Sequence, residues 1–511
     1  MTSFFRSAAA VSVIAFSSLA SACLAPARAD KAANSIRFAV DQAPESIDPF
    51  FNNVRIGVIL GQHVWDTLIY RDPNTGEYKG QLATAWKWAD DTTLDVELRQ
   101  GVKFHNGEAF DADDVVYTLN FVSKADSKVV TQNNVDWIAS AEKIDQYKVR
   151  IKLKRPFPAA IEYLAGPVVI HPNEYYTKVG PAGMNSAAVG SGPYKVVEHA
   201  IGKLVRLERN KDYFKDSPKP QPKIEKIEIR FIPDRQTQMA EVLAGGVDLI
   251  MNVPPDQAAQ LKTVPHLEVK SGETMRIVFL NLNTLESSPA PQLRDIRVRR
   301  AIQHAIDRET MVKQLVGEGG RVLNAICFPG QFGCIDTQAP RFKYDVAESR
   351  RLLAEAGLKD GFEMDFFAYR ERPHSEAMVN YLRAVGIKVN LRFMQYAAMR
   401  EQIRSNKAAI AHQTWGSFSV NDVSASTPVY FKFLPDDINR DPEVRDLLEK
   451  GDTSVDPAAR KEAYAKALGL IGERALSVPL YSLVTFYVMG KGLEMKTYPD
   501  EMPRLWEATW K

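Results

Sequence analysis

Two patterns of apolar residues alternate along the chain, one with helical spacing and one that occupies every second position. Residues 375–384 carry apolar side chains on one helical face and end before Gly386, which suits a left-handed helix cap. Residues 387–393 then alternate apolar and polar positions, as in a half-buried strand. Residues 296–306 return to helical spacing until the glycines within 317–320 break the pattern. This alternation predicts a mixed α/β architecture.

The N-terminus has the pattern of an export signal. Arg6 is the only charge before an uncharged run at residues 8–22, which is too short to span a bilayer. The small residues around Arg28 match a signal peptidase site, so we predict cleavage after Ala29 and a periplasmic protein. Cys23 leaves open an alternative, lipid attachment at a weak lipoprotein box.

Size and charge restrict the class of the mature protein. The predicted mature chain of about 480 residues exceeds what one hydrophobic core usually supports, so we expect at least two lobes. Loss of Arg6 and Arg28 reduces the 65 basic residues to 63, equal to the 63 acidic residues. This balance gives no argument for a nucleic-acid partner. No later run of apolar residues is long enough for stable membrane insertion.

The two cysteines of the mature chain predict a disulfide. Cys327 and Cys334 flank a turn with proline and glycine, and an even pair in an exported chain favours a structural bridge.

Motifs of catalysis and of metal binding are absent from the sequence. It contains no Gly-x-Ser-x-Gly elbow, no His-Glu-x-x-His pair and no phosphate loop. The eight histidines never occur at ligand spacing. We therefore predict that the protein is not an enzyme and that it has no cofactor and no metal site.

An ordered set of short blocks carries a family resemblance. The most informative block is LRQGVKFHNG at residues 98–107, followed by Asp113-Asp114-Val115. The other blocks, in chain order, are PESIDP at 44–49, WDTL at 65–68, LATAW at 82–86, GSGPY at 190–194, RVRRA at 297–301 with IDR at 306–308, and VGI at 385–387. Together they resemble the bacterial extracellular solute-binding protein family 5.

The resemblance implies a fold and its division. The expected fold is the two-lobed periplasmic-binding-protein fold, type II of the large cluster C type, with a hinge between the lobes. Lobe I would comprise 30–273, with an extra subdomain at about 68–189. Lobe II would comprise 274–488, and the C-terminal return to lobe I would comprise 489–511.

The resemblance also implies a function. The protein would be the monomeric substrate-binding component of an ABC importer. It would deliver a small molecule or short peptide to permease subunits driven by ATPases. We expect a peptide or peptide-like amino acid conjugate, and an opine or sugar conjugate as the alternative. A peptide hydrolase or a chaperone-like protein is the contrasting class.

Candidate ligand residues of lobe II come from two family positions. Arg372, before Pro373, resembles the arginine that holds the terminal carboxylate of a peptide in dipeptide-binding members. Arg370 would share its face if this segment were extended, so either or both would serve.

The second position follows a tryptophan, Trp415, which is suited to framing a ligand. Peptide binders of the family place an amine-binding aspartate three residues after this tryptophan. This chain has Phe418 there, so Asp422 is the candidate replacement. Neutral hydrogen bonds are expected from Ser417, Ser419 and Asn421.

Lobe I contributes candidates after the block at 44–49, namely Asn53 and Arg55. Arg55 would add positive charge to the cleft. A site with arginines and hydroxyls but no placed carboxylate favours an anionic or sugar-like ligand.

Overall fold

The computed structural model describes residues 33–52, 54–416 and 420–511, without the side chain of residue 133. The predicted signal peptide, Cys23, Asn53, Ser417, Phe418 and Ser419 lie outside the described residues.

Helices and strands alternate through the described part of the chain. The strands are β1 (Ser35–Val40), β2 (Ile69–Arg71), β3 (Tyr78–Gly80), β4 (Ala83–Asp90), β5 (Thr93–Leu98), β6 (Ile138–Asp145), β7 (Lys148–Leu153), β8 (Tyr194–Ala200), β9 (Leu204–Arg209), β10 (Lys226–Phe231), β11 (Leu249–Ile250), β12 (Leu267–Leu282), β13 (Phe362–Ala368), β14 (Ile387–Phe393), β15 (Ile410–Trp415), β16 (Ser477–Gly490), β17 (Leu493–Glu494) and β18 (Thr509–Trp510). The α-helices are α1 (Arg55–Val64), α2 (Ala112–Val122), α3 (Ala160–Ala165), α4 (Asn173–Ser186), α5 (Arg235–Ala244), α6 (Pro255–Leu261), α7 (Ile296–Ala305), α8 (Arg308–Met311), α9 (Val346–Glu355), α10 (Arg372–Ala384), α11 (Tyr396–Arg404), α12 (Thr427–Phe431), α13 (Pro442–Thr453) and α14 (Pro457–Glu473).

A ten-stranded sheet runs through both lobes, in the order β14-β13-β15-β12-β16-β11-β1-β10-β9-β8. We refer to the part of the molecule on the β1 side of this sheet as lobe I and to the part on the β13 side as lobe II. Each side buries its own apolar core, with Trp65 and Tyr194 in lobe I and Phe366 and Tyr481 in lobe II. The prediction of a mixed α/β fold is confirmed.

The antiparallel pair β12 and β16 joins the two lobes. Residues 267–273 pair with 484–490 on the lobe I side, and 277–281 pair with 477–482 on the lobe II side. The register shifts between Glu273 and Ile277, where an irregularity interrupts the ladder. A break in the pairing bends a strand, so we expect this stretch to act as the joint between the lobes.

A second, smaller sheet is antiparallel and has the order β4-β5-β7-β6. Helix α2 contacts this sheet at β6. Asp111 begins α2 with a capping box, in which Asp114 accepts a hydrogen bond from the backbone N–H of Asp111. The block Asp113-Asp114-Val115 thus belongs to the first turn of this helix.

Two family blocks meet at His105. Its backbone N–H donates to the carbonyl of Gly190 at 2.8 Å. Its ring accepts from the N–H of Gly190 at 3.2 Å and contacts the carbonyl of Gly192 at 3.0 Å. A side chain at Gly190 would begin 2.0 Å from the carbonyl oxygen of Val64, so only glycine fits. Burial lowers the pKa of His105 to about 4, so its ring is neutral at pH 7.

The local predictions for residues 375–384, 387–393 and 296–306 are confirmed. Helix α10, strand β14 and helix α7 occupy them, and Gly386 has the left-handed φ of 97°. Within the residues that the structure describes, no helix is both long and apolar enough to cross a bilayer.

A buried ion pair lies in the lobe I core. The ammonium of Lys219 lies 3.0 Å from a carboxylate oxygen of Asp66, and both side chains are fully inaccessible to solvent. Lys219 also donates to the carbonyl of Gln62 at 2.8 Å, and Asp66 accepts from the hydroxyl of Tyr213 at 3.1 Å. Each charge is therefore compensated inside the protein.

We predict that Lys219→Met lowers the free energy of unfolding by about 3–5 kcal/mol, because it leaves the Asp66 carboxylate buried and unpaired. The exposed Lys226, which is 3.4 Å from Glu208, provides the control, since Lys226→Met should cost less than about 1 kcal/mol. Urea denaturation of both variants measures the difference. Equal losses would contradict this role of the pair.

Candidate ligand cleft

The candidate site is the space between the lobes. One part has a volume of about 960 Å³ including its opening, and its walls include Tyr70, Glu162, Arg504 and Trp506 of lobe I and the C-terminal return. A second part of about 2060 Å³ lies between the region of the smaller sheet and lobe II. The two parts share the lining residues Thr131, Asn134 and Val420, so they lie next to each other.

The C-terminal return brings a buried ion pair to the cleft wall. The guanidinium of Arg504 lies 2.6 Å from the carboxylate of Asp500 and 4.4 Å from the ring centre of Tyr498. Burial acts to raise the pKa of Asp500, but the charge and hydrogen bonds of Arg504 outweigh it, so this pKa is lowered. Asp500 is thus ionised and already paired at neutral pH.

Glu162 of α3 connects the lobes. Its carboxylate accepts hydrogen bonds from Arg71 at 3.2 Å, from the Tyr78 hydroxyl at 2.8 Å and from the backbone N–H of Asn421 at 2.7 Å. Asn421 follows β15 of lobe II, and the preceding Val420 is buried against the lobe I core. Burial raises the pKa of Glu162, against the opposing charge of Arg71. The segment after β15 therefore docks onto lobe I.

Arginines meet at the joint between the lobes. Arg55 lies 3.0 Å and Arg276 lies 3.7 Å from the carboxylate of Glu501 in the C-terminal return. Arg276 and Arg370 line one cavity of about 790 Å³, together with Glu371 and Glu501. Burial lowers the pKa of Arg276, Glu501 opposes the shift, and the charges of Arg370 and Arg55 add to it. Arg370 and Arg55 therefore lie close enough to Arg276 for their charges to act on it.

Arg276 is also held against the loop that follows β15. A β-carbon at Gly416 would lie 2.8 Å from a terminal nitrogen of Arg276, so the guanidinium packs directly on the backbone there. Gly416 is thus a close-approach position.

Trp415 lies in the wall of the larger part of the cleft. Its indole N–H donates to the carbonyl of Ala425 at 2.9 Å, and its ring meets Tyr430 edge-on at 5.9 Å. These contacts fix the ring while part of it remains accessible.

The arrangement of the two predicted arginines of lobe II differs from the prediction. The expectation of an extended segment with Arg370 and Arg372 on one face is wrong. Glu371 has a left-handed φ of 47°, and α10 begins at Arg372. The side chain of Arg372 is 56% exposed, 3.1 Å from Glu376 of its own helix and 4.7 Å from the ring centre of Phe393. Of the two, Arg370 lines the cavity with Arg276.

The other predicted residues are distributed as follows. Arg55 belongs to the arginine group, and Asn421 uses its backbone N–H in the contact with Glu162. Asp422 is buried and 2.9 Å from Arg460, so its carboxylate has a partner within lobe II. Asn53, Ser417, Phe418 and Ser419 are outside the described residues and stay predictions.

Three residues between the lobes have no prediction from the sequence, namely Arg276 and Glu501 at the joint and Glu162 in the cleft wall. The available signal for Arg276 was a charge within the apolar run of β12, at the point where the strand passes between lobes. Glu162 and Glu501 have no local signal, because their partners are distant in the sequence.

We predict that Asp422 and Arg460 are energetically coupled. Asp422→Asn and Arg460→Met should each destabilise the protein, and the double variant should lose less than the sum by about 1–3 kcal/mol. The reason is that either single change leaves one buried charge unpaired. Denaturation of the four proteins in a double-mutant cycle measures the coupling. Additive losses would contradict the pairing and favour Asp422 as a ligand group.

Comparisons with known proteins agree with this architecture. The family model described as bacterial extracellular solute-binding proteins, family 5 Middle, matches residues 77–433. The glutathione-binding protein GsiB of Salmonella paratyphi A is 28% identical over 373 residues, which cover 71% of this chain and 70% of that protein. The oligopeptide-binding protein AppA of Bacillus subtilis is 26% identical over 60% of each chain.

A solved structure shows the same fold. The ABC transporter substrate-binding protein CtaP of Listeria monocytogenes superposes with a TM-score of 0.82 and 21% identity, over 93% of this chain and 99% of that chain. The predicted two-lobed fold is therefore confirmed. Because the family model covers most of the chain, the protein belongs to the bacterial extracellular solute-binding proteins of family 5.

Proposed function

We propose that the protein is the periplasmic substrate-binding component of an ABC importer and captures a peptide or peptide-like amino acid conjugate between its lobes. The arginine group of Arg55, Arg276 and Arg370 is the observation that carries this proposal. Membership of the family and the names of the glutathione- and oligopeptide-binding relatives support it.

Lobe closure would follow from ligand contacts on both sides of the joint. Arg55 and Glu501 are on the lobe I side, Arg370 is on the lobe II side, and Arg276 is on β12 between them. A ligand carboxylate bound among these cations gains interactions from both lobes only when the cleft is closed. Binding therefore shifts the population towards the closed state.

Charge would select the ligand. Among the described residues, the cavity is lined by three arginines, Arg235, Arg276 and Arg370, and by two glutamates, Glu371 and Glu501. Positive charge is in excess around the cavity, and guanidinium groups bind carboxylates in a bidentate geometry. A conjugate with more carboxylates than amines, as in glutathione, matches this excess.

An opine or sugar conjugate is the second candidate. The sequence has Phe418 where peptide binders of the family have an amine-binding aspartate, and Asp422 is paired with Arg460. A ligand whose amine is substituted, as in an amino acid–keto acid conjugate, needs no such aspartate. Trp415 and the neutral groups predicted at Ser417, Ser419 and Asn421 would then frame it.

The remaining expectations form part of the same proposal. The protein would act as a monomer without catalysis, deliver its ligand to permease subunits with ATPases, and lose its signal after Ala29. Lobes at 30–273 and 274–488, with a return at 489–511, would close at the joint in β12 and β16.

Isothermal titration with glutathione, a neutral dipeptide and octopine tests the proposal. We expect one binding site per chain, tighter binding of an anionic conjugate than of the neutral dipeptide, and recovery of the ligand unchanged. Hydrolysis of the peptide by the pure protein, or preference for the neutral dipeptide, would contradict it.

We predict that Arg276→Gln weakens an anionic ligand by about 2–5 kcal/mol, because a buried charge pair with the ligand is lost. The control is Arg372→Gln, which removes an exposed arginine on the helix next to the cavity and should change affinity by less than about 1 kcal/mol. Titration of both variants with the ligand that binds the wild type measures the difference. Equal effects of the two changes would exclude Arg276 as the selective residue.

A further inference from the structure

The disulfide loop at residues 327–334 contacts the docking segment, which we define as residues 420–423. Cys327 and Cys334 form the disulfide, with their α-carbons 5.6 Å apart. Between them, the backbone N–H of Phe332 donates to the carbonyl of Asn421 at 3.0 Å. The N–H of Val423 donates to the carbonyl of Phe332, also at 3.0 Å. The loop is thus paired with the docking segment along its backbone.

Gln331 ties the turn of the disulfide loop to the start of the docking segment. Its side-chain oxygen accepts from the N–H of Phe328 at 3.1 Å, and its side-chain nitrogen donates to the carbonyl of Val420 at 3.0 Å. The side chain is buried, so both hydrogen bonds are shielded from water. Because this buried amide is hydrogen-bonded at both ends, it fixes the distance between the backbones of Phe328 and Val420.

A second set of contacts holds the same segment through Asp422. The guanidinium of Arg460 is 2.9 Å from the Asp422 carboxylate and 4.5 Å from the ring centre of Phe332. Arg460 therefore lies between the ring of the disulfide loop and the carboxylate of the docking segment.

The opposite side of the docking segment faces lobe I. Val420 is buried in the lobe I core, and the N–H of Asn421 donates to Glu162. The contacts therefore form a chain from the disulfide through Gln331 to Val420, and from there across the cleft to lobe I.

We propose that Gln331 is a positioning residue for ligand capture, because it and the disulfide hold residues 420–423 in the conformation that docks onto lobe I. This inference rests on the proposed function, in which closure traps the ligand. A docking segment that is already ordered has less conformational entropy to lose when the lobes close. Loosening it makes the closed state less stable and speeds ligand release.

The test compares Gln331→Leu with a matched control, Gln303→Leu. Gln303 is also buried, and it donates to the backbone carbonyl of Ser477 at 2.8 Å in the lobe II core. Both variants lose a buried side-chain hydrogen bond to a backbone carbonyl. Only Gln331 touches the docking segment.

Two readouts are measured on each folded variant. Hydrogen exchange of the amides at 421 and 423 reports the docking segment without any ligand. The dissociation rate of glutathione, used as the probe, reports capture. Gln331→Leu should accelerate both by about tenfold, which corresponds to loss of the buried hydrogen bond to the Val420 carbonyl. Gln303→Leu should lose as much thermal stability as Gln331→Leu. Its exchange rates and its dissociation rate should nevertheless stay within about twofold of the wild type.

A Cys327→Ser, Cys334→Ser double variant should accelerate exchange at 421 and 423 in the same direction. Unchanged exchange in Gln331→Leu, or equal acceleration in Gln303→Leu, would overturn the inference. If the wild type does not bind glutathione, that result counts against the proposed ligand, and the exchange comparison still decides the role of Gln331.

Discussion

The pairing of β12 with β16 is the constraint on which the rest of the molecule depends. These strands are the part of the large sheet that continues from one lobe into the other, and their ladder is interrupted between Glu273 and Ile277. Arg276 lies inside this interruption. Arg276 therefore carries one of the charges of the cleft at the joint itself. A rotation of the lobes would change the distances from its guanidinium to Arg55 and Arg370.

The cleft that results has two kinds of surface. Near the joint, the described lining of the cavity has three arginines and two glutamates, which favours an anionic group of a ligand. Farther out, Glu162, Arg71 and the docking segment join the lobes through paired groups. Charge selection by the arginines and the direct contact between the lobes therefore use different residues. A change in ligand preference does not require a change in the way that the lobes meet.

Short-range structure could be predicted from the sequence, but long-range pairing could not. The helix and strand around Gly386 follow from the spacing of apolar residues, and the family blocks predicted the fold. The expectation that Arg370 and Arg372 share one face was wrong, because Glu371 between them has a left-handed backbone conformation. No local pattern requires glutamate to adopt that conformation.

Partners that are distant in the sequence explain the remaining differences. Glu501 follows Arg276 by more than two hundred residues, and nothing near either residue indicates their contact. The sequence makes Asp422 a reasonable amine ligand, but in the structure its carboxylate is paired with Arg460. Charged residues can be located from the sequence, but whether each faces the ligand or another side chain depends on the tertiary structure.

Native mass spectrometry of protein extracted from the periplasm, followed by identification of any released molecule, tests the central claim most directly. We expect one unmodified molecule per chain, an amino acid conjugate or short peptide with net negative charge. A cationic or purely apolar molecule would contradict the selection by Arg55, Arg276 and Arg370. Cleaved peptide fragments would contradict the assignment as a binding protein.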